Sequence, residues 1–539
     1  MLFIFAFIIS LVITMILIPP AMKWADKIGA IDLPDARKVH TKAIPRVGGI
    51  AMVIGSIVSI VLLAELDQQI VAILIGFTII WGFGLWDDKS DLNYKVKFLG
   101  QFFAVTIVVL GGDIVVRTFP FIGGYLPDYL AIPFTIFALI GITNAINLSD
   151  GLDGLAGGTS LISISIIALL AFDTGGDIVV LISMAVAGSI LGFLRHNTYP
   201  ARLFMGDTGS QFLGFSLGVL VILLSQSVNS AMSPLIPLFI LGLPILDTMA
   251  VMGQRLYERR SPFSPDKNHV HHKLLDIGFD HYEAVFIIYL LQSALIVAAY
   301  FMLYESDSLL MLIYILVSMA VLGSFHMARV LNWKYHSSHL SDTSQLKILV
   351  KYLRETGWLT TAPTILLKLL VPLLFIVTAL LASDIQNDMS FLALFLLITL
   401  LGSMVVKSDG SGIVEKAVIY ILAVMVVYLI PVNKSDADYY NIINLLFVFL
   451  AFSFALRVRF CDEITFRVTP LDYLVIILVI IVPNLPEVHL EDSGIGEMAV
   501  KLVVLFYATE AIVGLSVRGL NLMRLGTLLT LMIVIYRGF

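Results

Sequence analysis

The sequence contains a single cysteine, Cys461, and few charged residues for its length. One cysteine excludes an intramolecular disulfide, so the chain has no disulfide framework. Only 13% of the 539 residues are charged, whereas 59% are hydrophobic, and the mean hydropathy is +0.97. This composition excludes a soluble globular protein and is typical of an all-α, polytopic membrane protein.

Two other patterns are missing. Segments of about ten residues with alternating polarity, which would indicate a transmembrane β-barrel, are absent. Apolar runs of about 17–20 residues recur instead, long enough to cross a hydrocarbon core of roughly 30 Å. The first run, Met1–Pro20, has no basic residue before it and no small-residue cleavage site. We therefore interpret it as the first membrane span and not as a removed signal peptide.

The apolar runs predict about eleven spans in the first part of the chain and six or seven in the rest. The first eleven lie at 2–20, 47–64, 69–86, 98–116, 129–147, 158–172, 177–194, 209–226, 233–252, 283–304 and 308–325. A basic, polar segment at 326–363 is interpreted as an interfacial helix plus linker. The later spans lie at 364–383, 390–406, 413–431, 440–456, 471–485 and 498–516, and a seventh fits 522–536. This pattern divides the chain into a membrane-embedded domain at 1–330, a cytoplasmic linker at 331–363 and a C-terminal membrane region at 364–539.

Lysine and arginine are distributed unevenly between the loops. Of the 18 that precede position 330, only Arg117 lies on one face, and 17 lie on the other, in loops 21–46, 87–97, 195–208 and 253–282 or at Arg329. By the positive-inside rule the basic face is cytoplasmic. Every chemically suggestive loop lies on that face: 37–49, 87–97, 144–158, 195–211 and 262–278. The sequence therefore predicts one cytoplasmic working face, and it gives no indication of what the C-terminal region does.

The stretch Asn144–Gly158 carries two amides, two carboxylates and four glycines directly after an apolar run. Asn147, Asp150 and Asp153 are costly to hold near hydrocarbon unless water, a metal or a polar ligand satisfies them. The stretch therefore predicts a functional site, and an ordinary polar loop between two spans is the alternative.

Two further acidic sites lie on the same face. Asp87 and Asp88 follow the third span, and adjacent carboxylates suit a divalent metal or a proton acceptor. A solvated acidic loop is the alternative for this pair. In Phe204–Ser210, glycines allow a ligand close to the backbone, and Asp207 precedes a helix whose dipole favours anions. Asp207 or Thr208 could instead simply cap that helix.

Two loops are basic. Pro265–His272 contains a lysine and three histidines, His269, His271 and His272. Zinc binding is one interpretation, although no cysteine is nearby and the histidine spacing does not place all three on one helix face. The surrounding basic residues favour phosphate recognition, and a solvated basic loop is a third interpretation. Arg37–Gly49, which ends in a glycine pair, either binds an anion or only anchors the span that follows.

Acidic and basic loops on one face are what Mg²⁺-dependent phosphoryl transfer requires. Carboxylates hold the metal, cations neutralise phosphate oxygens, and positioning supplies most of the rate. A transporter or flippase for lipid-linked sugars is a hypothesis of a different class, and it also suits a polytopic protein. However, the carboxylates lie at helix ends and not at the bilayer midplane, where a transporter keeps its site.

Five stretches resemble those of the polyprenyl-phosphate N-acetylhexosamine-1-phosphate transferases, in the order and on the face typical of that family. They are Arg37–Gly49, Asp87-Asp88, Asn144–Gly158, Phe204–Ser210 and Asp266–Gly278, and they cover residues 1 to about 330. The resemblance implies an enzyme of the bacterial cytoplasmic membrane that transfers a sugar 1-phosphate from a UDP-sugar to polyprenyl phosphate. It further implies release of UMP, a requirement for Mg²⁺ or Mn²⁺, a homodimer, and no nucleic-acid partner.

The resemblance also implies roles for single residues. Asp207 would be the chief Mg²⁺ ligand, assisted by Asn147 and Asp150. The residues that would act on the lipid phosphate or assist the metal are Asp87, as candidate base, and Asp88. The nucleotide site would be lined by Lys42, Asn147, Asp150, Asp153 and Phe204. The diphosphate or sugar would contact His269, His271 and His272.

The sugar is indicated by the histidine loop. Asp-Lys-Asn-His-Val-His-His at 266–272 resembles the branch that transfers N-acetylglucosamine 1-phosphate and initiates teichoic-acid, enterobacterial-common-antigen or O-antigen chains. The muramoyl-pentapeptide branch usually has a Pro-x-His-His-His loop. UDP-N-acetylglucosamine is therefore the expected donor, and UDP-MurNAc-pentapeptide or another UDP-N-acetyl sugar is the alternative. The long C-terminal region departs from the usual length of the family.

Overall fold

A computed structural model describes residues 2–32, 43–261, 268–335, 358–382, 385–405, 411–430, 437–460, 495–513 and 521–539. These residues are almost all helical, so the predicted all-α polytopic class is confirmed. They form two compact units, one up to Tyr335 and one from Trp358 onward. The unit up to Tyr335 contains all the predicted site residues that the structure describes.

Thirteen helices make up the described part of the first unit. They are α1 Leu2–Ile28, α2 Gly48–Leu63, α3 Gln68–Ser90, α4 Tyr94–Thr106, α5 Asp128–Ser149, α6 Leu155–Asp173, α7 Asp177–Asn197, α8 Gly206–Leu223, α9 Ile236–Ile240, α10 Gly242–Tyr257, α11 Val270–Ile277, α12 His281–Phe301 and α13 Asp307–Val330. The helices α4 and α8 each continue into a π-helical turn, at Ile107–Gly111 and Leu224–Val228. Two short antiparallel strands, β1 Ile31–Asp32 and β2 Ile44–Pro45, pair ahead of α2.

Nine of the eleven spans predicted for this unit are helices long and apolar enough to cross a membrane. The span predicted at 47–64 is the shorter helix α2, which has 16 residues. The single span predicted at 233–252 is wrong, because the chain forms two helices there, α9 and α10. Pro244 lies in the first turn of α10. A proline lacks the N–H that the interior of a helix requires but is tolerated in the first turn, so the chain starts a new helix here instead of continuing α9.

Helix α8 lies at the centre of the first unit and packs against α2, α3, α5 and α6. Its residues from Thr208 to Leu223 are all buried. Phe77 of α3 contacts Phe212 and Phe215 edge to face, with ring centroids 4.9 and 5.9 Å apart. Because α8 touches these neighbours along its length, the residues at its N-terminus meet the ends of the helices around it.

The second unit has its own apolar core. Its described helices are α14 Trp358–Leu381, α15 Asn387–Val405, α16 Ser411–Tyr428, α17 Ala437–Phe460, α18 Ile495–Val513 and α19 Asn521–Gly538. Within it Arg524 pairs with the buried carboxylate of Glu415, at 2.8 Å between Nη2 and Oε2. The span predicted at 471–485 and most of the predicted linker lie outside the described residues.

Candidate active site

Asp88, in the last turn of α3, holds the N-terminus of α8. Its carboxylate accepts hydrogen bonds from the backbone N–H of Asp207 at 2.7 Å and of Thr208 at 3.1 Å, and from the Thr208 hydroxyl at 2.6 Å. The first N–H groups of a helix lack acceptors within the helix, and its dipole stabilises an anion there. Asp88 is buried and both its oxygens accept hydrogen bonds, so its carboxylate holds the first turn of α8, which carries Asp207.

Gly206, the first residue of α8, is required for this contact. Its φ of +68° is left-handed, and a Cβ built on it would collide with the Asp88 carboxylate. The glycine therefore serves both the backbone turn and the close approach of the carboxylate.

Gly206→Ala is expected to lower the thermal stability of the purified protein more than Gly175→Ala does. Both glycines are left-handed, at φ +68° and +75°, so both substitutions introduce strain of about 1 kcal/mol. A Cβ at Gly175 meets open space, whereas one at Gly206 displaces Asp88 and leaves buried N–H groups unpaired, which costs about 1–3 kcal/mol more. Melting temperatures in detergent measure the difference, and equal shifts would contradict the role assigned to Asp88.

The segment before α8 is joined to the predicted basic loop by backbone hydrogen bonds. The N–H of Phe204 donates to Pro45, and the N–H groups of Gly48 and Gly49 donate to Phe204 and Met205 at 2.9 Å each. A Cβ on Gly49 would collide with the backbone of α8, which explains the glycine pair. Phe204 is half-buried at this junction. The expected nucleotide contact Lys42 lies outside the described residues.

Lys97 of α4 lies between two carboxylates, Asp87 and Asp207. Its Nζ forms an ion pair with the buried Asp87 and lies 3.1 Å from Oδ2 of Asp207, whose side chain is 24% exposed. Asp87 also accepts a hydrogen bond from the N–H of Leu92 at 2.7 Å. A cation between two acids offsets their mutual repulsion and their desolvation. The three side chains form a compact charged group at the end of α8.

Lys97 belongs to the predicted loop 87–97 and has no predicted role of its own, although the turn before it supplies a signal. Asp91 ends α3 in a left-handed conformation with φ 42°. Asn93 then caps α4 by accepting a hydrogen bond from the N–H of Lys95 at 3.2 Å. This reversal between two helices brings Lys97 back to Asp87, ten positions earlier in the chain.

Asn147 and Asp150, at the C-terminal end of α5, lie on another side of Asp207. The Asn147 amide oxygen accepts a hydrogen bond from Ser210 at 2.6 Å, and the Asn147 side chain interacts with the Asp207 carboxylate. Burial, and after it the nearby carboxylates of Asp207, Asp153 and Asp88, together raise the pKa of Asp150 to about 7. A carboxyl group surrounded by other carboxylates indicates a negative potential that a bound cation would offset.

The donor set fits a magnesium ion. Asp207, Asn147 and Asp150 offer two carboxylates and one amide oxygen, and Mg²⁺ takes one or two carboxylates while its other ligands are water and substrate phosphate. Among the residues that the structure describes, no three His, Cys, Asp or Glu side chains form a closed metal site. The described part of the histidine loop therefore gives the zinc interpretation no support. The two carboxylates and the amide oxygen suit a hard cation whose remaining ligands are water and phosphate.

The rest of the stretch Asn144–Gly158 is held in place by hydrogen bonds. The Asp153 carboxylate accepts from the N–H of Ala201 at 2.9 Å, the Asn197 side chain accepts from the N–H of Gly154 at 2.9 Å, and the Tyr289 hydroxyl donates to the Gly154 carbonyl at 2.7 Å. Sequence reasoning missed both residues: Tyr289 lies in a predicted span, and Asn197 lies in a predicted loop but belongs to no motif. These contacts fix the loop that carries Asp150.

The histidine loop is fixed by Asp247 of α10, another residue that the sequence did not indicate. Its carboxylate lies 2.8 Å from Nδ1 of His269 and accepts a hydrogen bond from the N–H of Val270 at 2.9 Å. An ionised carboxylate only accepts, so the pair places a proton on Nδ1 and directs Nε2 of His269 away from Asp247. Asp247 thereby fixes the orientation of the His269 ring.

His271 packs against the stretch that carries Asp150. His271 is buried, and a Cβ on Gly151 would collide with its ring, so the glycine makes room for the imidazole. Burial and the neighbouring His272 lower the pKa of His271 to about 3. His271 is therefore neutral near pH 7 and can take part in hydrogen bonds.

The structure thus brings most of the predicted site residues to one end of α3, α5 and α8. Asp87, Asp207, Asn147 and Asp150 surround a common region together with Lys97. Asp88 accepts from the first N–H groups of α8, and His271 packs against Gly151.

Comparison with known proteins points to one group of enzymes. The family description "Glycosyl transferase family 4" matches residues 70–225. A protein of Bacillus subtilis strain 168 named probable undecaprenyl-phosphate N-acetylglucosaminyl 1-phosphate transferase is 43% identical over 290 residues, which cover 53% of this chain and 81% of that protein. Decaprenyl-phosphate N-acetylglucosaminephosphotransferase of Mycobacterium tuberculosis H37Rv is 35% identical over 311 residues, 52% and 77% of the two chains. Undecaprenyl-phosphate alpha-N-acetylglucosaminyl 1-phosphate transferase of Escherichia coli K12 is 30% identical over 284 residues, 51% and 77%.

Proposed function

Because the chain belongs to glycosyl transferase family 4, in the branch of the undecaprenyl-phosphate N-acetylglucosaminyl 1-phosphate transferases, we propose that it transfers N-acetylglucosamine 1-phosphate from UDP-N-acetylglucosamine to polyprenyl phosphate. UMP is released, and a lipid-linked sugar pyrophosphate remains in the membrane. The observation that carries the proposal is the grouping of Asp87, Lys97 and Asp207 beside Asn147 and Asp150. The reaction would start the synthesis of an envelope polysaccharide at the cytoplasmic face of a bacterial membrane.

The acceptor half of the reaction is assigned to Asp87 and Lys97. An oxygen of the polyprenyl phosphate attacks the phosphorus that carries the sugar, and the bond from that phosphorus to the oxygen bridging it to UMP breaks. Lys97 offsets the negative charge of the acceptor phosphate, and Asp87 accepts its proton when the acceptor arrives protonated. The attacking oxygen lies beside the helix ends, where an acceptor with a membrane-embedded tail can reach it.

The donor half is assigned to the other side of Asp207. Asp207, Asn147 and Asp150 would hold Mg²⁺, or Mn²⁺, which when bound neutralises diphosphate charge. His269, oriented by Asp247, and the neutral His271 are placed to donate or accept hydrogen bonds from the diphosphate or sugar. Holding the two substrates in line is the main contribution of the protein to such a transfer.

The direct test is release of UMP by the full-length protein in detergent. UDP-N-acetylglucosamine, polyprenyl phosphate and Mg²⁺ should yield UMP and lipid-linked sugar pyrophosphate in equal amounts without any sealed membrane. A transporter or flippase would release none, so absence of UMP with every donor would overturn the proposal. UDP-MurNAc-pentapeptide and other UDP-N-acetyl sugars, assayed in parallel, decide the donor.

Asp247→Asn is expected to lower kcat for UMP release about tenfold to a hundredfold, in the range found when a group that orients a functional histidine is removed. The amide oxygen of the asparagine can still accept the hydrogen bond from the N–H of Val270. Its NH2 group can face Nδ1 of His269, which favours the tautomer that carries the proton on Nε2. The kcat and KM of the variant are compared with those of Asp26→Asn, an exposed carboxylate on α1. An unchanged kcat would show that the tautomer of His269 does not matter.

A further inference from the structure

A cavity of about 530 Å³ lies between α10, α11 and the end of α13, apart from the candidate active site. Its lining combines three cations, two aromatic rings and one acid. These residues are Lys273, Arg329, Lys334, Phe325, Trp333 and Asp276. The proposed transfer reaction uses none of them, so the cavity needs a separate explanation.

The cavity lies where a membrane span ends. Leu310 is the one buried residue of α13, so this apolar helix presents most of its surface outward. Just after its end, Trp333 is 51% exposed and lies with Tyr335 against Phe279; the Tyr335 and Phe279 rings stack with centroids 4.7 Å apart. Exposed tryptophan and tyrosine at the end of a span mark the level of the lipid headgroups.

The chemistry of the lining matches a lipid headgroup that carries a phosphate. Nζ of Lys273 lies 5.9 Å from the centre of the Phe325 ring, so an apolar wall and a cation occupy the same side of the cavity. Arg329 and Lys334 add positive charge against the single carboxylate of Asp276. Basic pockets between membrane helices at this level bind anionic headgroups, and long basic side chains reach that level from apolar surface.

We propose that this cavity binds the headgroup of an anionic membrane phospholipid. The phosphate faces the cations, a headgroup hydroxyl donates to Asp276, and the acyl chains lie along the outward surface of α13. Because α11 also carries His271 and His272, the bound lipid lies one helix away from the candidate active site.

Native mass spectrometry of the full-length protein in detergent tests the proposal. Phosphatidylglycerol and phosphatidylcholine with the same acyl chains are added together in equal amounts. The wild-type protein is expected to retain phosphatidylglycerol preferentially, and Lys273→Gln/Arg329→Gln should weaken its binding about twenty-five-fold, the product of roughly fivefold for each cation. Lys23→Gln/Lys27→Gln removes two exposed cations from α1 and should have no such effect.

Further variants and competing anions distinguish a membrane phospholipid from other phosphate-containing ligands. The charge-preserving Lys273→Arg should keep the bound lipid, and the melting temperature of each variant reports folding independently. If Lys23→Gln/Lys27→Gln weakened phosphatidylglycerol binding equally, the binding would reflect only a general attraction of the lipid to basic surface. Displacement by millimolar inorganic phosphate would indicate a site for soluble anions, and displacement by an equal amount of undecaprenyl phosphate a site for the acceptor. Any of these three results would overturn the proposal, whether or not the protein releases UMP.

Discussion

Asp207→Asn is expected to reduce UMP release at least about a thousandfold while the protein remains folded. Asp207 is the one carboxylate that faces both Lys97 and Asn147, so it joins the acceptor half of the proposed site to the donor half. The asparagine keeps the shape but loses the charge that would bind a divalent cation, and loss of such preorganised charge has costs of this order. The backbone N–H of residue 207 can still donate to Asp88, so α8 should keep its cap.

The matched control for this substitution is Asp177→Asn. Asp177 also lies in the first turn of a helix, α7, so both variants lose the same favourable interaction with a helix dipole, worth less than about 1 kcal/mol. UMP release at saturating UDP-N-acetylglucosamine and over a range of Mg²⁺ concentrations is the measurement. Full turnover by Asp207→Asn would remove the metal assignment, and an equal loss in both variants would point to helix stability.

Hydropathy predicted the helices well but misplaced their ends at the site. The third span was predicted to end at residue 86, whereas α3 continues to Ser90 and carries Asp87 and Asp88 on its last turn. The eighth was predicted to begin at residue 209, whereas α8 begins at Gly206 and includes Asp207. The length of an apolar run reflects the thickness of the hydrocarbon core. Hydropathy therefore does not detect the polar turns by which a helix extends beyond that core. These three acids therefore lie within the terminal turns of helices, a few residues beyond the predicted limits of the spans.

The partners of the site residues could not be predicted from the sequence. Asp88 meets Thr208 across 120 positions, and His269 meets Asp247 across 22. Contacts of this kind depend on which helix ends come together, and periodicity within one helix contains no such information. The glycines are an intermediate case: those of Phe204–Ser210 suggested a close ligand, whereas the structure shows a close protein contact at Gly206.

Lys97→Gln is expected to reduce UMP release about a hundredfold to a thousandfold, because it removes the cation shared by Asp87 and Asp207. Lys95→Gln, two positions earlier on α4 with an exposed side chain, is the matched control and should retain near wild-type turnover. Lys97→Arg preserves the charge in a wider, planar group and should recover only part of the activity, since the two side chains are not interchangeable at a confined site.

A purely structural role for Lys97 makes a different prediction. If the lysine only held α4 against α3 and α8, its loss would lower the melting temperature, and the protein that remained folded would turn over normally. If it acts on the acceptor phosphate, turnover falls at temperatures where the variant is fully folded, and raising the polyprenyl phosphate concentration does not restore kcat. Melting temperature and kcat, measured on the same preparation, therefore decide whether the charged group at the end of α8 is a packing feature or the place where the phosphate is transferred.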